Sequence, residues 1–275
     1  GIFKNMLSFS VDIFDEQRSK MLLTPQTTTF LIGHSFKDLN LGKVKKHGLE
    51  VEVEFNKTTA GKLNYWIKGN LGLNETRIVF RDDPAFTPEY RKNAGKPIGV
   101  KYGELLADNG YMTSVDDIHM TPSPIALQSL VMGDYKFIDY DVDGTINTQD
   151  AYPIKGLQYA PVTYAVSGGI SWKGFDFSLM FQGNYGKYQS FSPQSELTFY
   201  KGDNRVHSAN LSYWTPDNPN PASMTPHYNG SDVGPAIISW VSPAFMGHFW
   251  RNSNYLRLKE IYLGYNLNSD FLKRV

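Results

Sequence analysis

The sequence predicts an all-β fold in which about six long antiparallel strands form a segment of a transmembrane β-barrel with long extracellular loops. Apolar and polar residues alternate with a period of two, as they do in a strand with one face in apolar surroundings. Each alternating stretch runs for about ten residues, whereas soluble strands have about five or six and strands that cross a bilayer about nine to eleven. Short and long connections also alternate strictly along the chain.

The alternation locates the strands. The six stretches lie within residues 7–13, 49–55, 63–73, 164–172, 175–181 and 256–265. In the second stretch the intervening positions hold Glu50, Glu52 and Glu54, so this face must meet water. The opposite, apolar face could meet a soluble core or lipid equally well, and the periodicity alone does not decide between them.

The alternation slips once, in the last stretch. Leu256 and Leu258 follow one phase of the period, whereas Ile261 and Leu263 follow the other. An extra residue inserted in one strand, a β-bulge, shifts the phase in this way. The sequence therefore predicts a bulge near Glu260.

The lengths of the connections favour a membrane barrel. The links at about residues 57–61 and 173–174 are short, whereas those at about 16–46, 76–162 and 186–253 are long. In a meander, alternate connections lie at opposite ends of the sheet, so the short turns share one end and the long loops share the other. Outer-membrane barrels have this plan, with short periplasmic turns and long extracellular loops.

The composition argues against several other classes. The 275 residues include 27 basic and 27 acidic ones, so the formal net charge is zero and we expect no nucleic-acid partner. They include no cysteine, which rules out disulfides and thiolate metal sites within this sequence. No run of about 18 apolar residues predicts a transmembrane helix. The first residues, Gly1–Asn5, do not resemble a signal peptide, which suggests a fragment of a longer chain.

Residues 139–150 have the spacing of a calcium-binding loop of the EF-hand type. Calcium takes about six to eight oxygen ligands, and a short loop can gather them only by turning sharply at a glycine, here Gly144 at loop position 6. The predicted ligands are Asp139, Asp141, Asp143, the backbone carbonyl of Thr145, Asn147 and Asp150. The alternative interpretation is a polar Asp-Gly turn that binds no metal.

The flanks of this loop differ from those of a true EF-hand, which has a helix on each side. Gly133–Ile138 has an extended pattern, and Pro153 would end a downstream helix quickly. We therefore expect a single calcium loop inserted in a β-rich protein. Its structural calcium ion would brace the predicted extracellular loop 76–162, which is too long to order easily without help.

Six segments carry further local patterns: Lys46–Val53, Asn93–Gly99, Gly110–Ile118, Gly133–Phe137 with the loop that follows it, Ser171–Gly183 and Ser253–Tyr265. In this order they resemble motifs of the SusC/RagA-type TonB-dependent outer-membrane transporters of the Bacteroidetes. The last segment matches the family pattern S-x-Y-L-R-L-x-x-I-x-L-G-Y closely. Each motif is modest alone, but together they cover essentially the whole chain.

The resemblance implies a barrel of 22 strands around an N-terminal plug, embedded in the lipid of the bacterial outer membrane. It also implies coupling to TonB and a SusD-like surface lipoprotein that helps to capture oligosaccharides or peptides. Residues 1–275 would then be a C-terminal part of the barrel, without the plug domain and the last strand. This portion alone has too few strands to close a barrel.

Two of the long connections are here called the first long loop (76–162) and the second long loop (186–253). Aromatic residues in the second long loop could stack on a sugar or contact the lipoprotein. The candidates are Tyr213, Trp214, Trp240, Phe249 and Trp250. For each of them the alternative is ordinary packing within the loop or a place in an aromatic girdle at the membrane interface. Trp172 and Phe175, beside the short turn, are expected in the periplasmic girdle.

Two other classes of function fit the sequence less well. A secreted calcium-binding β-sandwich that binds carbohydrate would explain the aromatic residues and the calcium loop, but not the long strands or the segregation of loop lengths. An enzyme is not expected, because the six histidines lack the paired spacing of a zinc site and no nucleophile or phosphate-binding motif occurs.

Overall fold

The computed structural model describes residues 6–27, 37–122, 130–190, 208–221, 225–226 and 247–267. In chain order its strands are β1 (Leu7–Leu23), β2 (Leu39–Thr58), β3 (Asn64–Phe80), β4 (Tyr102–Gly103), β5 (Leu106–Tyr111), β6 (Tyr135–Phe137), β7 (Tyr152–Pro153), β8 (Val162–Trp172), β9 (Phe175–Tyr185), β10 (Tyr188–Ser190), β11 (Trp250–Asn252) and β12 (Tyr255–Tyr265). Six of them form one antiparallel sheet in the order β1-β2-β3-β8-β9-β12. This meander confirms the predicted all-β antiparallel fold.

The register of the sheet separates an apolar face from a polar one. Phe9 lies opposite Val53, and Val166 lies opposite Phe181, so apolar residues of neighbouring strands share a face. The intervening positions, such as Glu52, form the other face. Strands β8, β9 and β12 have 11 residues each. At a barrel tilt of about 35–45°, such a strand crosses a band about 26–30 Å thick.

The predicted bulge in the last strand is confirmed. Leu258 pairs with Phe181, but Glu260 pairs with Met180, the next residue along β9, so one extra residue lies in β12. The bulge reverses the phase of the alternation. Leu258 and Ile261 therefore both lie on the apolar face, although an odd number of positions separates them.

No second layer packs on the apolar face of the sheet within the described ranges. Its side chains stay exposed, with Ile13 82% and Leu263 73% accessible. The remaining described sheets are two-stranded pairs, β4–β7, β5–β6 and β10–β11. The buried core lies among the loops instead, around Tyr111 and Tyr135. This arrangement differs from that of a soluble β-sandwich, which buries one face of each sheet against the other.

Both short turns of the sheet lie at the same end. Lys173 and Gly174 join β8 to β9 with φ angles of 48° and 88°, as in a two-residue type I′ hairpin. Trp172 ends β8 at this turn, and the Phe175 ring packs against Tyr265 with centroids 4.4 Å apart. Aromatic rings thus collect on the apolar face where the sequence predicts an interface.

At the other end, β1, β2 and β3 continue beyond β8. The pairing of β3 with β8 ends at Leu73, but β3 runs on to Phe80. A returning segment covers this free edge: the Ile78 amide donates to the Lys96 carbonyl at 2.9 Å, and the Ile98 amide donates to Thr76 at 2.7 Å. The first long loop is thereby tied to the rim of the sheet.

The described residues contain one α-helix, α1 (Val115–Met120), which has six residues. Ser114 caps its N-terminus, and the Asp117 side chain completes a capping box with the Ser114 amide. No helix in the described part of the chain is long and apolar enough to cross a membrane.

Candidate metal centre

The two long loops share one buried core. Trp214 and Phe249, from the second loop, are 5% and 1% accessible and pack with Tyr111 and Tyr135 of the first loop. Ile146, which is position 8 of the predicted calcium loop, belongs to the same core and is fully buried. The side chain of Ile146 therefore anchors the calcium-type loop in the loop core.

Three of the predicted ligands converge. One carboxylate oxygen from each of Asp139, Asp141 and Asp143 lies within 4.8 Å of the other two. The chain turns sharply between them, with left-handed φ angles at Val142 (59°) and Gly144 (86°). Glycine adopts this conformation without strain, whereas valine rarely does. The observed turn thus matches the role predicted for Gly144.

Backbone amides support the cluster from within. The Asp143 amide donates to Asp139 and to Asp141 at 3.2 Å each, and the Gly144 amide donates to Asp139 at 2.9 Å. The Thr145 hydroxyl donates to Asp143 at 2.7 Å and lowers the pKa of that carboxyl. Burial and the neighbouring carboxylates raise the pKa of Asp141, although the Asp143 amide opposes them. The cluster therefore concentrates negative charge that a cation would neutralise.

Asp150 has a different environment from the three clustered aspartates. It is buried at the end of a short 3₁₀ turn, Thr148–Asp150, which Asn147 caps. One of its carboxylate oxygens accepts from the Tyr140 amide at 2.7 Å, and the other accepts from the Asn147 amide at 2.7 Å. Because its two oxygens accept from backbone amides near the start and the end of the loop, Asp150 joins these two parts of the loop.

The remaining predicted ligands lie beside the cluster. The Asn147 side-chain oxygen accepts from the Gln149 amide at 2.7 Å, and its amide nitrogen lies 3.5 Å from an Asp143 oxygen. The structure therefore places all six predicted ligand residues in one loop, but gathers only the carboxylates of Asp139, Asp141 and Asp143.

Sequence patterns did not reveal the residues that hold this loop from outside. The Tyr90 hydroxyl donates to the Gln149 carbonyl at 2.7 Å, and the Arg91 guanidinium donates to the Thr148 carbonyl. Burial raises the pKa of Tyr90, and the negative charge of Asp141 adds a smaller effect in the same direction. These contacts join residues nearly 60 positions apart, and no periodic signal marks such pairs.

Glu104 is a buried acid close to this loop. It is 2% accessible, and its Oε2 atom has no hydrogen-bond partner among the described residues. Burial raises the pKa of Glu104 to about 7, and the charge of Asp150 adds to this effect while Arg91 opposes it. The carboxyl therefore changes charge near neutral pH inside the loop core.

The aromatic candidates for ligand contact fall into three groups. Trp214 and Phe249 are buried, so their rings have no free face for a ligand, and this favours a packing role. Tyr213 and Trp250 are half-buried and keep part of their surface accessible. Trp240 lies outside the described residues.

The polar face of the sheet carries a depression of about 470 Å³. Asp12, Glu50 and Glu52 line it, and Lys68 forms an ion pair with Glu52 at 2.8 Å. This is the acidic face that the glutamates of the second strand predict. Within the described ranges the sheet has an exposed apolar face and an opposite acidic face, with short turns at one end and folded loops at the other. This is the arrangement of a segment of a membrane β-barrel.

Comparison with known proteins supports this class. No protein-family model matches the chain. A curated relative, the TonB-dependent receptor P26 of Formosa agariphila, is 28% identical over 142 residues, which is 51% of this chain and 13% of the receptor. The structure of the RagAB peptide transporter matches 98% of the chain with a TM-score of 0.63 and 20% identity. The structures of the RagAB peptide importer in the 'open-open' and 'closed-closed' states match the same share of the chain with the same TM-score, at 20% and 19% identity.

The chain spans only 27–28% of those solved chains, so it corresponds to about a quarter of each. At 19–20% identity the structural likeness establishes the fold. Together with the named receptor, it confirms the resemblance to SusC/RagA-type TonB-dependent transporters that the sequence motifs indicate.

Proposed function

We propose that this chain forms a C-terminal part of the barrel of an outer-membrane importer that is energised by TonB. The importer would take up oligosaccharides or peptides, and a SusD-like lipoprotein would cover its loop end. One observation carries this proposal: within the described residues, the apolar face of a six-stranded sheet with strands of 11 to 20 residues stays exposed, while the loops fold around a core of their own. The relatives named as a TonB-dependent receptor and a peptide transporter support the same class.

In this proposal the two faces of the sheet meet different environments. The apolar face meets lipid, and the rings near Trp172 and Phe175 lie at the periplasmic interface. The face with Glu50 and Glu52 meets the water-filled interior. Strands β1 and β12 each have one neighbour among the described strands, so each would pair with a further barrel strand beyond those described, because an open edge is not stable in lipid.

Cysteine labelling tests this orientation, because residues 1–275 contain no cysteine and the unsubstituted protein gives the background labelling. Phe86 is fully exposed in the first long loop, and Gly61 is exposed in the short turn between β2 and β3. In intact cells a membrane-impermeant maleimide should label Phe86→Cys, but should label Gly61→Cys only after the outer membrane is permeabilised. Equal labelling of both in intact cells would contradict the orientation.

Uptake assays test the activity. Cells that express the intact native chain should accumulate a labelled oligosaccharide or peptide pool, and deletion of TonB should abolish that accumulation. Deletion of the SusD-like lipoprotein should lower the affinity of the importer for this substrate pool. Accumulation that is unchanged without TonB would refute energised import.

We also propose that residues 139–150 bind one structural calcium ion. The carboxylates of Asp139, Asp141 and Asp143 would supply the central ligands, with the Thr145 carbonyl, Asn147 and Asp150 completing the set as the loop closes around the ion. Three carboxylate oxygens within 4.8 Å of one another support this site, because hard oxygen donors suit calcium. Extracellular calcium sites work at about 10⁻⁴–10⁻³ M, so a modest affinity would suffice.

A matched pair of variants tests the calcium site. Asp143→Ala removes one of the clustered carboxylates, whereas Asp116→Ala removes an exposed carboxylate at the start of α1. Calorimetric titration of the intact chain in detergent should show that the first variant loses calcium binding and that the second retains it. No binding to the native chain at millimolar calcium, or equal binding by both variants, would disprove the site.

A further inference from the structure

Residues 84–94, here called the clamp segment, reach across to the calcium-type loop. The Tyr90 hydroxyl donates to the Gln149 carbonyl at 2.7 Å, and the Arg91 guanidinium donates to the neighbouring Thr148 carbonyl. Both acceptors belong to the 3₁₀ turn that ends the loop. Two residues adjacent in sequence thus hold two adjacent carbonyls of that turn.

Aromatic packing strengthens the same contact. The Tyr90 ring meets Tyr140, at loop position 2, edge to face with centroids 4.7 Å apart. It also stacks on Tyr152, just past the loop, at 6.0 Å, and Tyr140 and Tyr152 are 4.5 Å apart. Such ring pairs stabilise beyond simple burial. The clamp segment therefore contacts both the beginning and the end of the calcium-type loop.

The clamp segment is itself fixed to the rim of the sheet. Asp83 accepts hydrogen bonds from the Asn93 amide at 2.9 Å and from the Ala94 amide at 2.8 Å. The next residues pair with the upper end of β3, where the Gly95 amide donates to the Ile78 carbonyl at 2.7 Å. A continuous series of contacts thus runs from the sheet through the clamp segment to the 3₁₀ turn.

We infer that Tyr90 and Arg91 are positioning residues of the calcium loop, so that cation binding and docking of the clamp segment stabilise each other. The inference rests on the proposed calcium site. Its physical basis is Asp150, which lies in the turn that Tyr90 and Arg91 hold and which bonds the Tyr140 and Asn147 amides. Displacement of that turn would move Asp150 and open the loop around the clustered carboxylates.

Tyr90→Phe tests the role of the hydroxyl, because it removes one hydrogen bond and keeps the ring. The calcium dissociation constant of the intact chain in detergent should rise about three- to tenfold, the usual effect of one lost hydrogen bond. Tyr159→Phe is the matched control, since Tyr159 lies in the same long loop, is exposed and makes none of these contacts. Equal affinities of the two variants would overturn the role of Tyr90.

Arg91 allows a separation of charge from geometry. If its positive charge merely repelled the ion, Arg91→Met would bind calcium more tightly. If Arg91 positions the turn, Arg91→Met should bind several-fold more weakly, and Arg91→Lys, which keeps the charge and a donor, should recover part of the loss. Tighter binding by Arg91→Met would overturn the role assigned to Arg91.

Thermodynamic linkage supplies an independent readout, because coupling between two sites is reciprocal. Calcium should slow hydrogen exchange of the clamp-segment amides in the native chain, and Tyr90→Phe should reduce that protection. If the native chain binds calcium and Asp143→Ala does not, but calcium leaves the clamp amides unchanged, the coupling fails and the calcium site stands. If the native chain binds no calcium, the site itself fails.

Discussion

Replacing Phe249 with alanine should separate the two long loops without disturbing the sheet. Phe249 is 1% accessible and packs in the core that joins the loops. Truncation of a buried phenylalanine to alanine costs about 3–5 kcal/mol, whereas a swap that largely preserves volume costs less than about 1.5 kcal/mol. Phe249→Ala should therefore undock the second loop, and Phe249→Leu should largely retain the docking.

Hydrogen exchange followed at individual amides measures this effect. The Met112 and Gly133 amides are hydrogen-bonded within the loop core, and their protection should fall by about a hundredfold or more in Phe249→Ala, as expected for a loss of about 3 kcal/mol. The Ser167 amide, in the middle of β8, should keep its protection. Unchanged loop protection combined with weaker substrate binding would refute the packing argument and assign Phe249 to ligand contact.

Three further predictions concern pH, an ion pair and the sheet. The pKa of Glu104 is raised from 4.5 to about 7. The free energy of unfolding of the loop core should therefore fall by on the order of 2 kcal/mol as pH rises between these values. Glu104→Gln should remove this pH dependence when thermal unfolding is measured. Lys136 hydrogen-bonds Asp117 and lowers the pKa of that carboxyl. The stabilisation from this ion pair is therefore present above the ordinary pKa of Asp117 and is lost as pH falls below it. Lys136→Met should lower the stability of the loop by about 1 kcal/mol at pH 7, as measured by hydrogen exchange. A Cβ on Gly183 would lie 2.4 Å from the Tyr164 ring, so Gly183→Ala should destabilise the barrel by about 1–3 kcal/mol in denaturant unfolding, and Tyr164→Ala should relieve most of that loss.

The sequence predicted the sheet where one face is apolar and the other polar, because successive side chains of a strand point to opposite faces. The bulge near Glu260 was predictable for the same reason, since apolar residues must return to the same face. The extent of β2 was not predicted: the strand begins at Leu39, but Lys43–His47 carries polar residues on both faces. There the strand extends beyond the apolar band, and no alternation marks it.

The calcium-type loop was predicted as a segment because its ligands lie close together in sequence. Its environment was not predicted, because contacts such as Tyr90 with Gln149 join distant parts of the chain. For the aromatic candidates the sequence left two roles open, ligand contact and packing within the loop. Trp214 lies in the loop core, which favours packing, and only long-range contacts distinguish these two roles.

The proposed function depends on the orientation of the sheet in lipid, and a spin-label scan of β8 tests that orientation most directly. Single cysteines would be placed at each position of Val162–Trp172 in the intact chain, reconstituted in lipid and spin-labelled. If one face of β8 meets lipid, labels at even positions such as Val166 and Ile170 should collide with oxygen dissolved in lipid, whereas labels at odd positions such as Ser167 and Gly169 should collide with a water-soluble nickel chelate. An absence of this alternation, or access of the nickel chelate to both sets, would contradict a strand with one face in lipid and the other in water.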